Sequence, residues 1–162
     1  MFNFETNVIK EAKSSCLLEE KDCTVIGSLF LDQKRETEEF LEIKIKQIST
    51  DTPFTLLENI LKDSFYSIFS GKIIKTKLKL NILIFSNQCL FSSVVNCASI
   101  CLLQSGYFFN DWLIGLEYFD GNFIYKCISN ELIYFNGKNF VHEDEFYKKI
   151  EESKGKIKEK LI

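Results

Sequence analysis

The sequence predicts an α+β domain in which helices pack on a mixed β-sheet. Residues 41–46 and 75–84 alternate apolar with polar side chains, as strands with one buried face do. Residues 52–71 and 142–162 instead repeat apolar residues at the spacing of amphipathic helices. A length of 162 residues suits one domain with a sizeable core, and we expect a single domain over residues 1–162.

The composition is that of a globular protein, with 46% hydrophobic and 27% charged residues. The formal net charge of −3 gives no overall basic field of the kind that marks many nucleic-acid-binding proteins. Arg35 is the only arginine among 20 basic residues. Because bidentate phosphate recognition favours arginine over lysine, this composition excludes a site built from several phosphate-binding arginines.

The N-terminal residues and the cysteines indicate an intracellular protein. Residues 1–13 contain early acidic side chains and no apolar core, so we expect no secretory signal peptide. No cysteine pair has the C-x-x-C spacing, and we expect buried free thiols. Cys97 and Cys101 share a helix face, but a metal site would lack nearby acidic ligands, and His142 is far away in sequence.

The first half of the chain predicts three strands and a helix. Residues 14–32 form two short strands around a turn at Glu20 to Asp22, and residues 41–47 form a half-buried strand. In the helix that follows, Thr52 is predicted to cap the N-terminus, Pro53 to take the first helical position and Gly71 to lie past the end. Its apolar stripe consists of Leu57, Ile60, Leu61, Ser64, Phe65 and Ile68.

The segment from residue 80 to residue 110 contains no Asp, Glu, Lys or Arg. It begins as the second half of a long strand, and turn residues with a helix cap at Ser86 or Asn87 then break it. A helix ending at Gly106 follows, and its roughly 17 residues are fewer and more polar than the about 20 apolar residues of a membrane span. We therefore expect a buried helix packed closely on a sheet, with a second subunit as one candidate for its cover.

The last third of the chain predicts a hairpin, a strand and a helix. The hairpin turns at Asp120 and Gly121, and the next strand ends in a turn at Asn136 and Gly137. The final helix begins at His142 and carries the apolar residues Phe146, Ile150, Ile157 and Leu161. The predicted order is β-β-β-α-β-α-β-β-β-α, with no element before Ser14.

Two stretches resemble the RNase PH-like family, which comprises the ring subunits of the RNA exosome and their phosphorolytic relatives. The first has Ser14 and Ser15, a turn, and then Thr24 with two apolar residues. The second has an Asn among small residues at 96–98, followed by Leu102, Gly106 and an apolar strand. The tail is most similar to the non-catalytic ring subunits of the type called ribosomal RNA processing protein forty-six.

The resemblance implies a ribosomal protein S5 domain 2-like fold with trimmed loops. It also implies that the chain is a structural subunit of the exosome core ring, in the nucleus, the nucleolus and the cytoplasm. Its partners would be other RNase PH-like subunits, with RNA bound through the assembled complex, and it would need no cofactor and no membrane.

The departures from the family bear on catalysis. Active members carry an Asp-Gly-rich turn before the buried helix and phosphate-binding arginines, whereas this chain has Asn87, Gln88 and Cys89 at the turn. A neutral amide cannot act as a general base. The residues therefore predict a catalytically silent subunit. Two alternatives remain open, namely an active phosphate-dependent 3′–5′ exoribonuclease and an unrelated small α+β binding protein.

Lysines are the strongest candidates for binding RNA. Two of them lie on one face of residues 41–47, and three lie on one face of the later strand: Lys44, Lys46, Lys75, Lys77 and Lys79. If the two strands are neighbours, these lysines form a basic patch that could follow RNA phosphates. The alternative is a solvated face with Glu42 as an ion-pair partner.

Three further features have two interpretations each. His142 has the chemistry of a general base, but no nucleophile is close to it in sequence. Asn96 on the buried helix needs hydrogen-bond partners, which either the sheet backbone or an adjoining subunit must supply. The aromatic residues after this helix suit either an interface or the edge of the core: Tyr107, Phe108, Phe109 and Trp112.

Overall fold

The computed structural model describes residues 2–32, 39–69, 76–88, 90–107, 109–138 and 143–161. In this part of the chain it contains eight strands and three helices. In chain order they are β1 (Phe2–Thr6), β2 (Ser14–Glu20), β3 (Cys23–Asp32), β4 (Leu41–Gln47), α1 (Thr55–Tyr66), β5 (Lys77–Ile84), α2 (Phe91–Gln104), β6 (Leu113–Tyr118), β7 (Gly121–Lys126), β8 (Glu131–Asn136) and α3 (Glu143–Leu161).

Five strands form a mixed sheet in the order β1-β2-β3-β5-β4. Only β4 and β5 are parallel, and α1 connects them. The alternation seen in the sequence produces a buried face that includes Leu41, Ile43, Leu78 and Leu80. The polar residues between them lie on the opposite face of the sheet. The predicted mixed sheet with packed helices is therefore confirmed.

The remaining strands form an antiparallel sheet in the order β6-β7-β8, and α2 lies between the two sheets. Every residue of α2 from 92 to 102 is buried. A Cβ atom added to Gly27 on β3 would lie 2.7 Å from Cys101 Sγ, and one added to Gly115 on β6 would lie 2.5 Å from Val95 Cβ. Glycine on both sheets thus allows α2 to approach each of them closely.

The charge-free segment is a strand and a buried helix, as predicted, and its cover is a second sheet of the same chain. No helix in the described residues is long and apolar enough to cross a membrane. Asn96 obtains its partners from the backbone of β6, because its Oδ1 accepts the Gly115 N–H (2.8 Å) and its Nδ2 donates to the Gly115 carbonyl (3.1 Å). The sheet backbone therefore supplies the partners of this amide.

Both predicted helix caps are wrong. Helix α1 begins at Thr55, and the Thr52 hydroxyl is 2.8 Å from the Thr50 hydroxyl instead of at a helix terminus. Helix α2 begins after Leu90 without a side-chain cap, and the Ser86 hydroxyl instead accepts the Thr24 N–H, which holds the turn against the sheet. Gly71 lies outside the described residues, whereas Gly106 ends α2 with φ +78° as predicted.

The hairpin turn lies one residue earlier than predicted. Tyr118 pairs with Gly121, so the loop consists of Phe119 and Asp120, with Phe119 at φ 49°. Gly121 belongs to β7, where an added Cβ would lie 2.8 Å from the Phe123 ring. A larger residue at position 121 would clash with the Phe123 ring, so Gly121 is required for packing and does not form the turn.

Strand β1 is an element that the sequence analysis missed, and α3 lies along its outer edge. The side chains of Phe2 and Phe4 are buried, and their carbonyls accept hydrogen bonds from Lys156 Nζ and Lys160 Nζ, both at 2.9 Å. The apolar stripe predicted for the last helix is confirmed by the buried Phe146, Ile150 and Ile157. His142, the predicted start of this helix, lies outside the described residues.

Candidate functional site

The turn at residues 86–88 is where the resemblance places the acidic group of the active members. It is fixed between strands, because the Ser86 hydroxyl accepts the Thr24 N–H (2.6 Å) and the Ser86 carbonyl accepts Gln47 Nε2 (2.7 Å). Asn87 and Gln88 are exposed. Cys89 lies outside the described residues, so the described part of this turn carries neutral side chains only.

The N-terminus of α2 is occupied by carboxylates of the protein itself. The hydroxyls of Ser92 and Ser93 both donate to Glu20 Oε2, each at 2.9 Å. Glu117 Oε1 accepts the backbone N–H of Ser92 at 3.4 Å. Acidic groups at this end of a helix are stabilised by the helix dipole. Glu20 comes from the end of β2 and Glu117 from β6, so the two sheets place these carboxylates on opposite sides of the helix start.

This arrangement works against binding of a phosphate. A helix N-terminus is a ready-made anion site because its N–H groups and its dipole point at the ligand. Here a phosphate would meet the carboxylates of Glu20 and Glu117, and like charges about 4 Å apart repel by about 1–4 kcal/mol, depending on solvation. Phosphorolysis requires bound phosphate, so the geometry disfavours this reaction.

A cleft of about 130 Å³ opens beside the helix start, between Glu20, Ser92 and Glu117 and the side of α3. Two of its three lining lysines are directed to other groups of the protein. Lys149 Nζ lies 4.7 Å from the centroid of the Tyr118 ring, and Lys156 Nζ donates to the Phe2 carbonyl. Within the described residues, no group of three or more His, Cys, Asp or Glu side chains is placed to hold a metal ion.

Three buried thiols lie where α2 packs on the large sheet. Cys97 Sγ donates to the Cys16 carbonyl at 3.5 Å, and both Cys97 and Cys101 pack against Gly27. The hydrogen bond with Cys97 together with burial raises the pKa of Cys16 well above its usual range. The hydrogen bond with Cys101 and burial likewise raise the pKa of Cys97. The raised pKa values keep Cys16 and Cys97 in the thiol form, in which they pack as small apolar side chains.

The structure brings the candidate lysines of β4 and β5 onto one open face of the large sheet. The two strands pair directly, with Glu42 opposite Lys79 and Lys44 opposite Asn81. Lys46 is on the same face, two residues after Lys44. The expectation that the two strands are neighbours is confirmed. Lys75, the fifth candidate, lies outside the described residues.

Two of the four described candidate lysines form ion pairs. Lys77 Nζ lies 2.6 Å from Glu42 Oε2, and Lys79 Nζ lies 2.7 Å from Asp32 Oδ2. The hydrogen bond from Lys77 lowers the pKa of Glu42, so this carboxylate stays ionised beside the lysine. Lys44 and Lys46 are exposed, and no ion pair involves them in the part of the chain that the structure describes.

The aromatic residues after α2 belong to the edge of the core. Trp112 is buried, while Tyr107 and Phe109 are partly buried and pack against the core. The Phe109 ring lies 4.6 Å from the ring of Phe69, and these two residues also form a β-bridge. Phe108 lies outside the described residues. The described contacts therefore favour the core-edge interpretation of this cluster over the interface.

Comparisons with known proteins agree with this architecture. No protein-family model matches the chain, and no curated protein matches it by sequence. Among solved structures, the crystal structure of rice (Oryza sativa) Rrp46 matches with a TM-score of 0.74. The match covers 98% of this chain and 90% of the rice chain, at 15% sequence identity. The chain has an RNase PH-like fold.

The resemblance to an Rrp46-like, RNase PH-like subunit is thus confirmed for the fold. Within this RNase PH-like fold, β5, the turn at 86–88 and α2 follow one another as the resemblance implied. Sequence reasoning missed Glu20 and Glu117, the two carboxylates at the helix start. They are 97 positions apart in a chain of 162 residues, and no local pattern marks either of them. Only the packing of both sheets around α2 brings them together.

Proposed function

We propose that this chain is a non-catalytic structural subunit of the RNA exosome core ring. Likeness of the fold to rice Rrp46 supports the ring role. The observation that supports catalytic silence is the pair of carboxylates, Glu20 and Glu117, at the start of α2. In this role the chain supports 3′–5′ processing and degradation of RNA, including ribosomal RNA, in the nucleus, the nucleolus and the cytoplasm.

The proposed mechanism is architectural. The chain completes a hetero-oligomeric ring with other RNase PH-like subunits, and the central channel of the ring leads RNA to a nuclease carried by another subunit. Lys44 and Lys46 are the residues proposed to contact RNA phosphates, because their ammonium groups are exposed. Lys77 and Lys79 contribute less, since each already pairs with a carboxylate.

Purification of the native, tagged protein tests the ring role. We expect it to be recovered with several RNase PH-like subunits in stoichiometric amounts, as judged by mass and by identification of the chains. Recovery as a monomer without such partners contradicts the proposal.

A phosphorolysis assay tests the silent role. The purified chain is incubated with RNA and inorganic phosphate, and release of nucleoside diphosphates is measured. We expect no release from the wild-type chain. Release that stops when phosphate is omitted, and that a Ser92→Ala/Ser93→Ala variant at the helix start loses, would instead establish the active exoribonuclease.

A further inference from the structure

The edges of the two sheets differ in how their outward backbone groups are satisfied. Edge strands expose unpaired N–H and C=O groups, which proteins normally protect. On β1, Lys156 and Lys160 of α3 donate to the outward carbonyls. On β4, at the other edge of the same sheet, Glu58 Oε1 accepts the N–H of Ile45 at 2.8 Å. Helix side chains therefore bind outward groups at both edges of the large sheet.

The small sheet has one edge whose outward groups are bound by side chains and one edge, on β8, that is interrupted only by a bulge at Ile133. On β6, Asn96 binds both the N–H and the carbonyl of Gly115, and Ser99 Oγ accepts the Leu113 N–H at 3.2 Å. On β8, no side chain of the described residues hydrogen-bonds to the backbone of residues 131–134. This strand is nonetheless rich in residues that favour β-structure, and Leu132 is 41% exposed.

A groove of about 390 Å³ runs along this open edge, between β8 and α1. Its strand side is formed by Ile133 and Tyr134, and its helix side includes Ile60 and Asp63. Strand β8 carries a bulge at Ile133, because Ile124 pairs with Tyr134 and Tyr125 pairs with Leu132, and at this irregularity both Ile133 and Tyr134 line the groove. The groove thus combines an open backbone edge, an apolar wall and one exposed carboxylate.

We propose that β8 receives an extended segment of a neighbouring ring subunit, which adds to the small sheet as a fourth strand. The segment places an apolar side chain between Ile60 and Ile133 and a Lys or Arg against Asp63. This inference rests on the proposed ring function and names the surface through which the chain joins the ring.

The chemistry of the edge selects a polypeptide as the occupant. A strand edge alternates donors and acceptors at a spacing that another extended backbone matches, and side chains lying in flanking pockets add specificity. The carboxylate of Asp63 supplies charge complementarity to a basic side chain. The same carboxylate would repel the phosphates of RNA, so RNA belongs to the lysine face and not to this groove.

The test uses the full chain in the complex recovered from its native cells. Amide hydrogen exchange is compared between the isolated chain and the complex. We expect exchange in residues 131–136 to slow by about tenfold or more in the complex. A photo-crosslinking amino acid at position 132 should react with one continuous segment of a ring subunit, whereas the same group at position 56 on the exposed part of α1 should not.

Matched variants separate docking from folding. Leu132→Lys and Asp63→Lys should each reduce recovery of that subunit by about tenfold or more, since edge lysines block strand addition and the reversed charge repels the basic residue. The controls Ile48→Lys and Asp51→Lys make the same changes at exposed positions outside the groove and should leave recovery unchanged. Thermal melts of the isolated variants verify that each one folds.

The outcomes distinguish this inference from the ring function itself. If the complex forms but exchange in residues 131–136 is unchanged, the edge is not the docking surface, although the ring function stands. Failure to recover any ring subunit would contradict both. Slower exchange that appears on concentrating the isolated chain would assign the edge to a second copy of the chain and overturn the partner proposed here.

Discussion

Asp111 shows how a single buried carboxylate organises part of the small sheet. It accepts backbone N–H groups from Trp112, Ile128 and Ser129 at 2.7 to 2.9 Å, and also the Ser129 hydroxyl at 2.8 Å. Burial raises the pKa of this carboxyl, but these hydrogen bonds outweigh burial and hold its pKa below the ordinary value of 3.8. The carboxylate thereby fixes the connection between β7 and β8.

Replacing Asp111 with Asn should destabilise the protein by about 1–3 kcal/mol, because the amide group would place N–H donors against the donors that the carboxylate now accepts. Urea unfolding measures the difference. Asp120→Asn, at an exposed turn position, is the control and should change the free energy of unfolding by less than about 0.5 kcal/mol. Equal effects at both positions would show that the network contributes nothing specific.

The stabilisation from Asp111 should also depend on pH. The pKa of Asp111 is lower in the folded than in the unfolded protein. Its contribution to the free energy of unfolding is therefore fully present above the unfolded pKa of about 3.9. It is lost as the pH falls through the lower folded value. The difference in unfolding free energy between wild type and Asp111→Asn should therefore be constant from pH 5 to 7 and shrink below about pH 4. A difference that persists undiminished at pH 2 would contradict this account.

At the residue scale, the sequence indicated which side chains require hydrogen bonds more reliably than it indicated which groups form those bonds with them. Asn96 was predicted to require hydrogen bonds, and it makes two, but nothing in the sequence identified Gly115 as the partner. Glu20, Glu117 and Asp111 look like ordinary acidic residues in the sequence. Their roles depend on contacts across 17 to 73 positions of the chain, and local patterns do not report such contacts.

At the element scale, the two glycines that flank α2 differ in what they contact. A Cβ at Gly115 would meet Val95 Cβ at 2.5 Å, which is a stiff β-branched position close to the helix backbone. A Cβ at Gly27 would meet the thiols of Cys101 and Cys97 at 2.7 and 2.9 Å, and these are the ends of side chains that can rotate. The small sheet is therefore the less tolerant side of the helix.

Gly115→Ala should destabilise the protein by about 1–3 kcal/mol, and Gly27→Ala by less. Gly155→Ala is the control, because its added Cβ meets nothing within 4 Å and lies within α3. It should stabilise the protein by about 0.4–1 kcal/mol through its helix propensity. Thermal or urea unfolding of the three variants gives the ranking. A smaller effect at Gly115 than at Gly27 would contradict the assignment of the tighter contact.

Elements with a strong period were predicted correctly, whereas the short strand β1 was missed. The alternation in β4 and β5 and the apolar stripe of α3 identified these elements. Strand β1 has only five residues, with Phe2 and Phe4 as its whole pattern, and it is fixed by contact with α3. The Asp-Gly pair suggested the wrong turn position because Gly121 serves the packing of Phe123.

At the scale of the whole molecule, the lysines on the open face of the large sheet should make RNA binding depend on ionic strength. Lys44→Ala combined with Lys46→Ala should weaken RNA binding by the assembled complex and reduce the slope of log affinity against log salt by up to about 1.4. Lys10→Ala with Lys148→Ala removes the same charge from exposed positions elsewhere and serves as the control. An unchanged slope in the first variant would exclude this face from the RNA path.

The sequence was sufficient for the layered architecture and for the neutral turn at Asn87 and Gln88. It could not reveal which lysines stay available, because the pairing of Lys77 with Glu42 depends on the register of neighbouring strands. Nor could it show that α2 is covered by the chain itself, since a charge-free helix is equally compatible with a cover from another subunit. These properties belong to the folded molecule and not to any one segment.

The contact between α3 and β1 has a consequence for synthesis on the ribosome. Lys156 and Lys160 reach back to Phe2 and Phe4 across 154 and 156 positions. The edge of β1 thus stays unprotected until Lys156 and Lys160 have been made, about 8–30 s after β1 at usual elongation rates. We therefore expect nascent chains to depend on chaperones, and slow codons upstream of those for α3 to increase misassembly through this edge.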